Sequence, residues 1–135
     1  MAAPIELLQT VPLFQGLDRK HLKSLAQSFT ERSFTAGQEL VVEGKGGVGF
    51  FVIEAGEARV SVEGEDRRTL GPGDYFGEIA LIDGGPRTAT VTAVADGKMH
   101  GMTPWQFRPL VEDNASIAWP LLEAMARRPR ELEQR

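Results

Sequence analysis

The sequence predicts a mainly β protein with flanking helices. Glycines punctuate residues 37–73 every few positions, at 37, 44, 46, 47, 49, 56, 64, 71 and 73. Between and beyond them lie short β-rich runs, two of which alternate cleanly between apolar and polar residues. Many short strands with turn chemistry between them point to a sandwich or a small barrel. On either side of this region the apolar spacing changes to the helical period.

Leu22, Leu25, Ala26 and Phe29 recur at that period behind Asp18, which stands where an N-cap belongs, so a helix is predicted over roughly 19–28. The predicted strands follow as "QELVV", "FFVI", "ARVSV", "RRTL" and "TATVTAV". In "ARVSV" Ala58, Val60 and Val62 share one face and Arg59 and Ser61 the other, while Ala89, Val91 and Ala93 oppose Thr88, Thr90 and Thr92. "FFVI" is apolar on both faces and is expected to be central. Thr103-Pro104-x-Gln106 reads as a capping box with proline at the first helical position. The tail from Asn114 is rich in helix formers. Pro120 is harmless if it opens its helix, and Pro129 then ends or kinks that helix near Arg128.

The chain of 135 residues contains no repeat, low-complexity tract or linker, and one domain is expected. It has no cysteine, which removes disulfides, thiolate zinc sites and a cysteine nucleophile. A net charge of −4 argues against bulk attraction to nucleic acid or anionic membrane. "MAAPIELLQTVPLF" has no basic n-region, and no stretch approaches the roughly 20 apolar residues of a membrane span. A soluble, cytoplasmic chain is the expectation. His21 and His100 are isolated and are expected at the surface.

The segment "GEIALIDGGPRTATV", residues 77–91, carries the chemistry. An arginine at the start of a strand, facing a turn of small residues, suits a single phosphate. Backbone N–H groups exposed by such a turn form an anion-binding nest. Arg87 adds a bidentate fork that lysine cannot copy. Glu78 beside a phosphate makes sense only if it accepts hydrogen bonds from a neighbouring hydroxyl, as a ribose offers. Phosphate, sugar hydroxyl and an apolar strand face together read as a nucleotide, and there is no P-loop for a triphosphate.

"FGEIALIDGGPRTATV" resembles the phosphate-binding cassette of the cyclic-nucleotide-binding domain, the family of the catabolite activator protein and of the regulatory domains of cyclic-nucleotide-dependent kinases. "PLFQGLDRKHLKSLA", "AGQELVVEGKGGVGFFVIEAGEARV" and "LGPGDYFGE" extend the likeness to about residues 11–128. The resemblance implies a double-stranded β-helix, a jelly-roll-like β-roll, with an N-terminal helix and C-terminal helices. It implies one domain over 1–135: a helical lead-in at 5–28, a β-roll at 29–102 with the cassette at 77–91, and a helical lid at 103–135. It further implies that Arg87 pairs with the cyclic phosphate and Glu78 accepts from the ribose 2′-hydroxyl. The N–H groups of Ile79, Ala80 and Thr88 would cradle the phosphate, Gly77 would clear space beside the sugar, and Val60 would pack against the base. Arg128 matches a position that reaches toward the ligand, with Met125 one turn earlier. Thr88 permits cyclic GMP without selecting it, and cyclic AMP is the default ligand.

The function so implied is a non-catalytic sensor of cyclic AMP or cyclic GMP, needing neither metal nor cofactor. Binding would shift the C-terminal helices and so regulate a partner, either a separate effector protein or an effector domain outside this chain, which itself carries no DNA-binding domain. Blander readings stand beside it. Arg87 would pair with Glu78 or Asp83 at the surface, Arg127 and Arg128 would complement a helix dipole, and the domain would persist as an interaction surface that binds nothing. A small metal-dependent β-helix enzyme is the remaining alternative, disfavoured by two histidines with no H-x-H spacing.

Overall fold

The computed structural model describes residues 3–44, 49–77 and 89–133, with the backbone alone for 128–133. The N-terminal and C-terminal helices share one core against one face of an antiparallel sheet. A short helix α1 (Ile5–Leu8) and a 3-10 turn (Pro12–Phe14) lead into α2 (Arg19–Gln27). Six strands follow: β1 (Thr30–Phe34), β2 (Glu39–Val41), β3 (Phe50–Val62), β4 (Glu65–Leu70), β5 (Tyr75–Phe76) and β6 (Thr90–Met102). Helices α3 (Pro104–Asp113) and α4 (Ala115–Glu133) are the last described elements.

Both predicted helix starts are present. The Asp18 carboxylate accepts the His21 amide at 2.9 Å. At α3, Thr103 Oγ1 accepts the Gln106 amide at 3.2 Å, and the Gln106 side chain accepts the Thr103 amide at 2.9 Å. Each closes orphan donors that the first helical turn leaves open.

The sheet runs β1-β6-β3-β4, with β2 also on β6 and β5 also on β3. "FFVI" and "ARVSV" are one continuous 13-residue strand, β3, with Gly56 inside it. Gly56 has φ +95°, and the pairing of β3 with β6 slips on both sides of it, between Ile53 and Ala58. The glycine is a bulge that bends the strand, where the sequence suggests a break. A Cβ on Gly56 would lie 2.7 Å from both the Asp96 carbonyl oxygen and Gly97 Cα. At the β3–β4 hairpin, Glu63 (φ 52°) and Gly64 (φ 81°) form the two-residue turn that matches the twist of the strands.

The two faces of β3 look onto two cores, Phe50 and Val52 onto one and Phe51 and Ile53 onto the other. One gathers Leu8, Phe14, Leu22, Leu25, Phe29, Phe50, Val52, Met102, Phe107, Ile117 and Leu121 beneath the helices. Phe14, Phe29 and Phe50 meet there edge to face at centroid distances of 5.7–6.4 Å. The other lies within the sheet around Phe51, Ile53, Ala58, Val60, Leu70, Phe76, Val91 and Ala93. "FFVI" is fully buried and central, as its two apolar faces require.

Two expectations are corrected. Pro120 does not open its helix: α4 begins at Ala115 and runs unbroken through Pro120 and Pro129 to Glu133. Pro120 sits against Gly16, where an added Cβ would stand 3.0 Å from Pro120 Cβ, so tertiary packing offsets its missing N–H bond. At Pro129 the carbonyl left without its bond belongs to Met125, an exposed residue.

The second correction concerns His100, which is 1% exposed. It pairs with Val52 across the sheet, so its ring lies on the face that the helical core covers. Its Nε2 donates to Glu54 Oε1 at 2.9 Å, and Lys98 Nζ stands 3.5 Å from the other carboxylate oxygen. The hydrogen bond from His100 holds the Glu54 carboxyl below the usual carboxylate range. The Lys98 charge adds to this, while burial opposes it. A depressed folded-state value stabilises above the unfolded value, about pH 4.3, and that stability is lost as pH falls through the folded one. Glu54→Gln is therefore expected to be destabilised relative to the parent at about pH 5.5, with the gap narrowing by about pH 3.5. Urea midpoints at the two pH values check this; a constant gap contradicts it.

Candidate functional site

The end of the sheet beyond the bend is built from small and branched side chains. Ala58 pairs with Ala93, Val60 with Val91 and Ser61 with Thr90 across the β3–β6 ladder. Alternation turns Ala58, Val60, Val91 and Ala93 inward, each no more than 8% exposed, together with Leu70 and Phe76. Leu40, Val41 and Ala89 pack on the margin of this wall. The opposite face carries Arg59, whose guanidinium lies 3.5 Å from Asp66 in an exposed pair that adds little stability.

Both ends of the 77–91 segment are fixed to this wall. At the entering end, β5 pairs with β3, and the Phe76 ring lies on Phe51 with centroids 5.3 Å apart. Gly77 follows at φ +89°, a left-handed conformation that side chains strain to adopt. At the leaving end Thr90 pairs with Ser61, and its hydroxyl accepts the Glu43 amide at 3.0 Å. The bond from the Glu43 amide ties the turn after β2 to the same place.

Of the residues singled out in the sequence, Val60 and Gly77 are brought to this end of the sheet. Val60 is directly opposite Val91, and Gly77 continues from Phe76, which shares its buried cluster. Glu78, Ile79, Ala80, Arg87 and Thr88 lie outside the described residues, as does Asp83. Arg128 belongs to α4, and its side chain is likewise outside them. The described part of α4 turns Ile117 and Leu121 into the helical core and leaves Trp119, Leu122 and Met125 exposed.

Sequence reasoning missed the anchors. Phe76 lies on a strand of two residues, too short for any periodicity to register. The Thr90 hydroxyl was one of three alternating threonines with nothing to distinguish it. Among the described residues no group of three or more His, Asp or Glu side chains is placed to hold a metal ion. No described helix is long and apolar enough to cross a membrane.

The family profile of the cyclic nucleotide-binding domain matches residues 31–114. A cAMP-dependent protein kinase regulatory subunit of Yarrowia lipolytica is 41% identical over 88 residues, which are 64% of this chain and 24% of that protein. A CRP-like cAMP-activated global transcriptional regulator of Mycobacterium tuberculosis is 28% identical over 130 residues, 93% of this chain and 58% of the regulator. The crystal structure of the N-terminal domain of a transcriptional regulator from Streptomyces coelicolor A3(2) superposes with a TM-score of 0.88 at 30% identity, covering 95% of both chains. This chain thus spans about a quarter of the first relative and somewhat over half of the second. It belongs to the cyclic nucleotide-binding domain family.

Proposed function

We propose that the chain is a non-catalytic sensor of cyclic AMP. The observation that carries this reading is the apolar wall of Val60 and Val91, to which both ends of the glycine-gated segment are attached. A purine needs such a flat, dry surface, and a cyclic phosphate needs main-chain donors and one cation beside it. The names of the kinase regulatory subunit and the bacterial regulator favour cyclic AMP as the default ligand.

In this reading the Arg87 guanidinium pairs with the phosphate monoanion, and the amides of Ile79, Ala80 and Thr88 donate to its oxygens. Glu78 accepts from the ribose 2′-hydroxyl, which makes deoxy nucleotides poorer ligands. Gly77 leaves room for the sugar, Val60 packs against the base, and Arg128 reaches in from α4. The Thr88 hydroxyl accommodates a guanine as well. None of these groups attacks the phosphate; they hold it. Ligand binding then shifts α3 and α4, and an effector protein or a neighbouring domain reads the shift.

Thermal unfolding with cyclic AMP, cyclic GMP, cyclic di-GMP and 5′-AMP tests the reading. Ligand at a hundredfold over Kd adds about 2.7 kcal/mol, which for a domain of this size raises Tm by roughly 8 °C. Cyclic AMP is expected to give the largest shift, cyclic GMP a smaller one, and the other two none. No shift with either cyclic mononucleotide overturns the proposal.

A further inference from the structure

Away from the nucleotide site, Asp18, His21 and Ser116 form a hydrogen-bonded chain across the joint between α2 and α4. The Asp18 carboxylate caps α2 and lies 3.0 Å from His21 Nδ1. An ionised carboxylate only accepts, so in the neutral ring it holds the imidazole proton on Nδ1. Nε2 is then left as the acceptor, and Ser116 Oγ stands 3.1 Å from it. Carboxylate, imidazole and hydroxyl thus follow one another in the order, and within the reach, that makes a serine nucleophilic.

The core holds both ends of this chain. Leu22 follows His21 and Ile117 follows Ser116, and both are buried in the cluster beneath the helices. Pro120, one turn further along α4, packs on Gly16, two residues before Asp18. The His21 side chain is 22% exposed and so is wedged between the two helices, whereas Asp18 and Ser116 are open to solvent. The hydroxyl is therefore within reach of a dissolved molecule. Helix capping accounts for Asp18, but it does not account for the contact of His21 with a serine 95 positions away.

We propose that Ser116 is a nucleophilic serine that takes an acyl group from a small activated acyl donor. His21 is its base, and Asp18 is the residue that positions the base. In the step, an Oγ lone pair forms the new C–O bond while the Oγ–H proton passes to His21 Nε2. The tetrahedral intermediate then expels its leaving group, an aryloxide or thiolate, which takes up the proton that His21 holds. Serine and acyl donor become an O-acyl-serine and a phenol or thiol, with no oxidant or reductant consumed. The open setting selects the donor: Ser116 faces bulk water, so the donor must bring a good leaving group of its own. Acylation removes the hydroxyl proton that Nε2 accepts, so the mark breaks the link between α2 and α4. The site uses none of residues 77–91 and does not rest on the nucleotide reading.

Reaction with p-nitrophenyl acetate tests the assignment on the whole chain without nucleotide, with acid-quenched samples mapped by peptide mass spectrometry. Ser33, exposed on β1, is the internal reference. Acetyl is expected on Ser116 at least about tenfold faster than on Ser33. His21→Gln and Asp18→Asn are each expected to slow Ser116 about tenfold or more and to leave Ser33 unchanged. Asparagine keeps a cap on α2 but no longer fixes the ring proton, so a merely structural role for Asp18 would leave the Ser116 rate alone. Unchanged Tm values confirm that the variants fold. Release of more than an equivalent of p-nitrophenolate that Ser116→Ala abolishes also supports the proposal, because the ester then hydrolyses and returns the hydroxyl. Acetyl confined to lysines, equal rates at Ser116 and Ser33, or either variant within about threefold of the parent at Ser116 overturns it. The comparison of the two serines needs only the parent protein, so it decides the matter even where a variant fails to fold.

Discussion

Arg87→Ala is expected to weaken cyclic AMP binding by roughly 30-fold to several-thousand-fold. A cyclic phosphate carries a single negative charge, and in the proposed site one guanidinium answers it. Removing one partner of a desolvated, hydrogen-bonded charge pair costs about 2–5 kcal/mol, much of it from stranding the other charge away from water. At about 1.4 kcal/mol per tenfold, that range gives the stated loss. Arg87→Lys keeps the charge and gives up the planar fork, so it should fall between the parent and the alanine variant. Calorimetric titration of the three proteins makes the comparison, with ligand-free Tm as the control for folding. An affinity for the alanine variant within about threefold of the parent would remove the phosphate assignment.

The largest expected effect on stability lies away from the ligand, at Gly56→Val. Two penalties coincide there. The backbone holds φ +95°, where a side chain costs on the order of 1–2 kcal/mol, and more when it is β-branched. A Cβ would also press on main-chain atoms, the Asp96 carbonyl oxygen and Gly97 Cα, both at 2.7 Å. Neither neighbour can rotate away as a side-chain terminus can, and overpacking of this kind costs roughly 1–3 kcal/mol. The sum of about 2–5 kcal/mol is a large share of the 5–15 kcal/mol that holds a typical domain together. Urea unfolding should show a much lower midpoint with an unchanged slope. Gly64→Val offers the contrast. It shares the left-handed backbone at φ +81° but has open space around it, so it should lose less.

Different parts of this fold were legible in the sequence to different degrees, for physical reasons. Asp18 and Thr103-Pro104-x-Gln106 announced their helices because capping is local chemistry, settled within four residues. Ala58, Val60, Val91 and Ala93 announced a buried wall because alternation records which face meets the core. β1 was hidden: "TERSF" is polar, and an edge strand with one buried residue leaves no alternation to read. Gly56 was taken as a break because glycine at a turn and glycine at a bulge look alike without the partner strand. His100 and Pro120 were misjudged for the same underlying reason. One is buried by a strand that continues past two glycines, and the other is held by a contact 104 positions away in sequence, at Gly16. The candidate site was readable as a motif, since the residue types in 77–91 name their chemistry. The anchors at Phe76 and Thr90 were not, because they depend on which strand lies alongside.

The contact between Pro120 and Gly16 limits how any movement of the last helix can be transmitted. Ile117 and Leu121 are sunk into the same core on either side of that contact, so the first two turns of α4 are riveted to the loop after Phe14. A swing of the whole helix would have to carry residues 12–16 along or tear that joint open. The stretch beyond Leu121, with Leu122 and Met125 facing water, meets that core among its described side chains through Ala124. Mechanically it is a lever arm whose fulcrum is the proline.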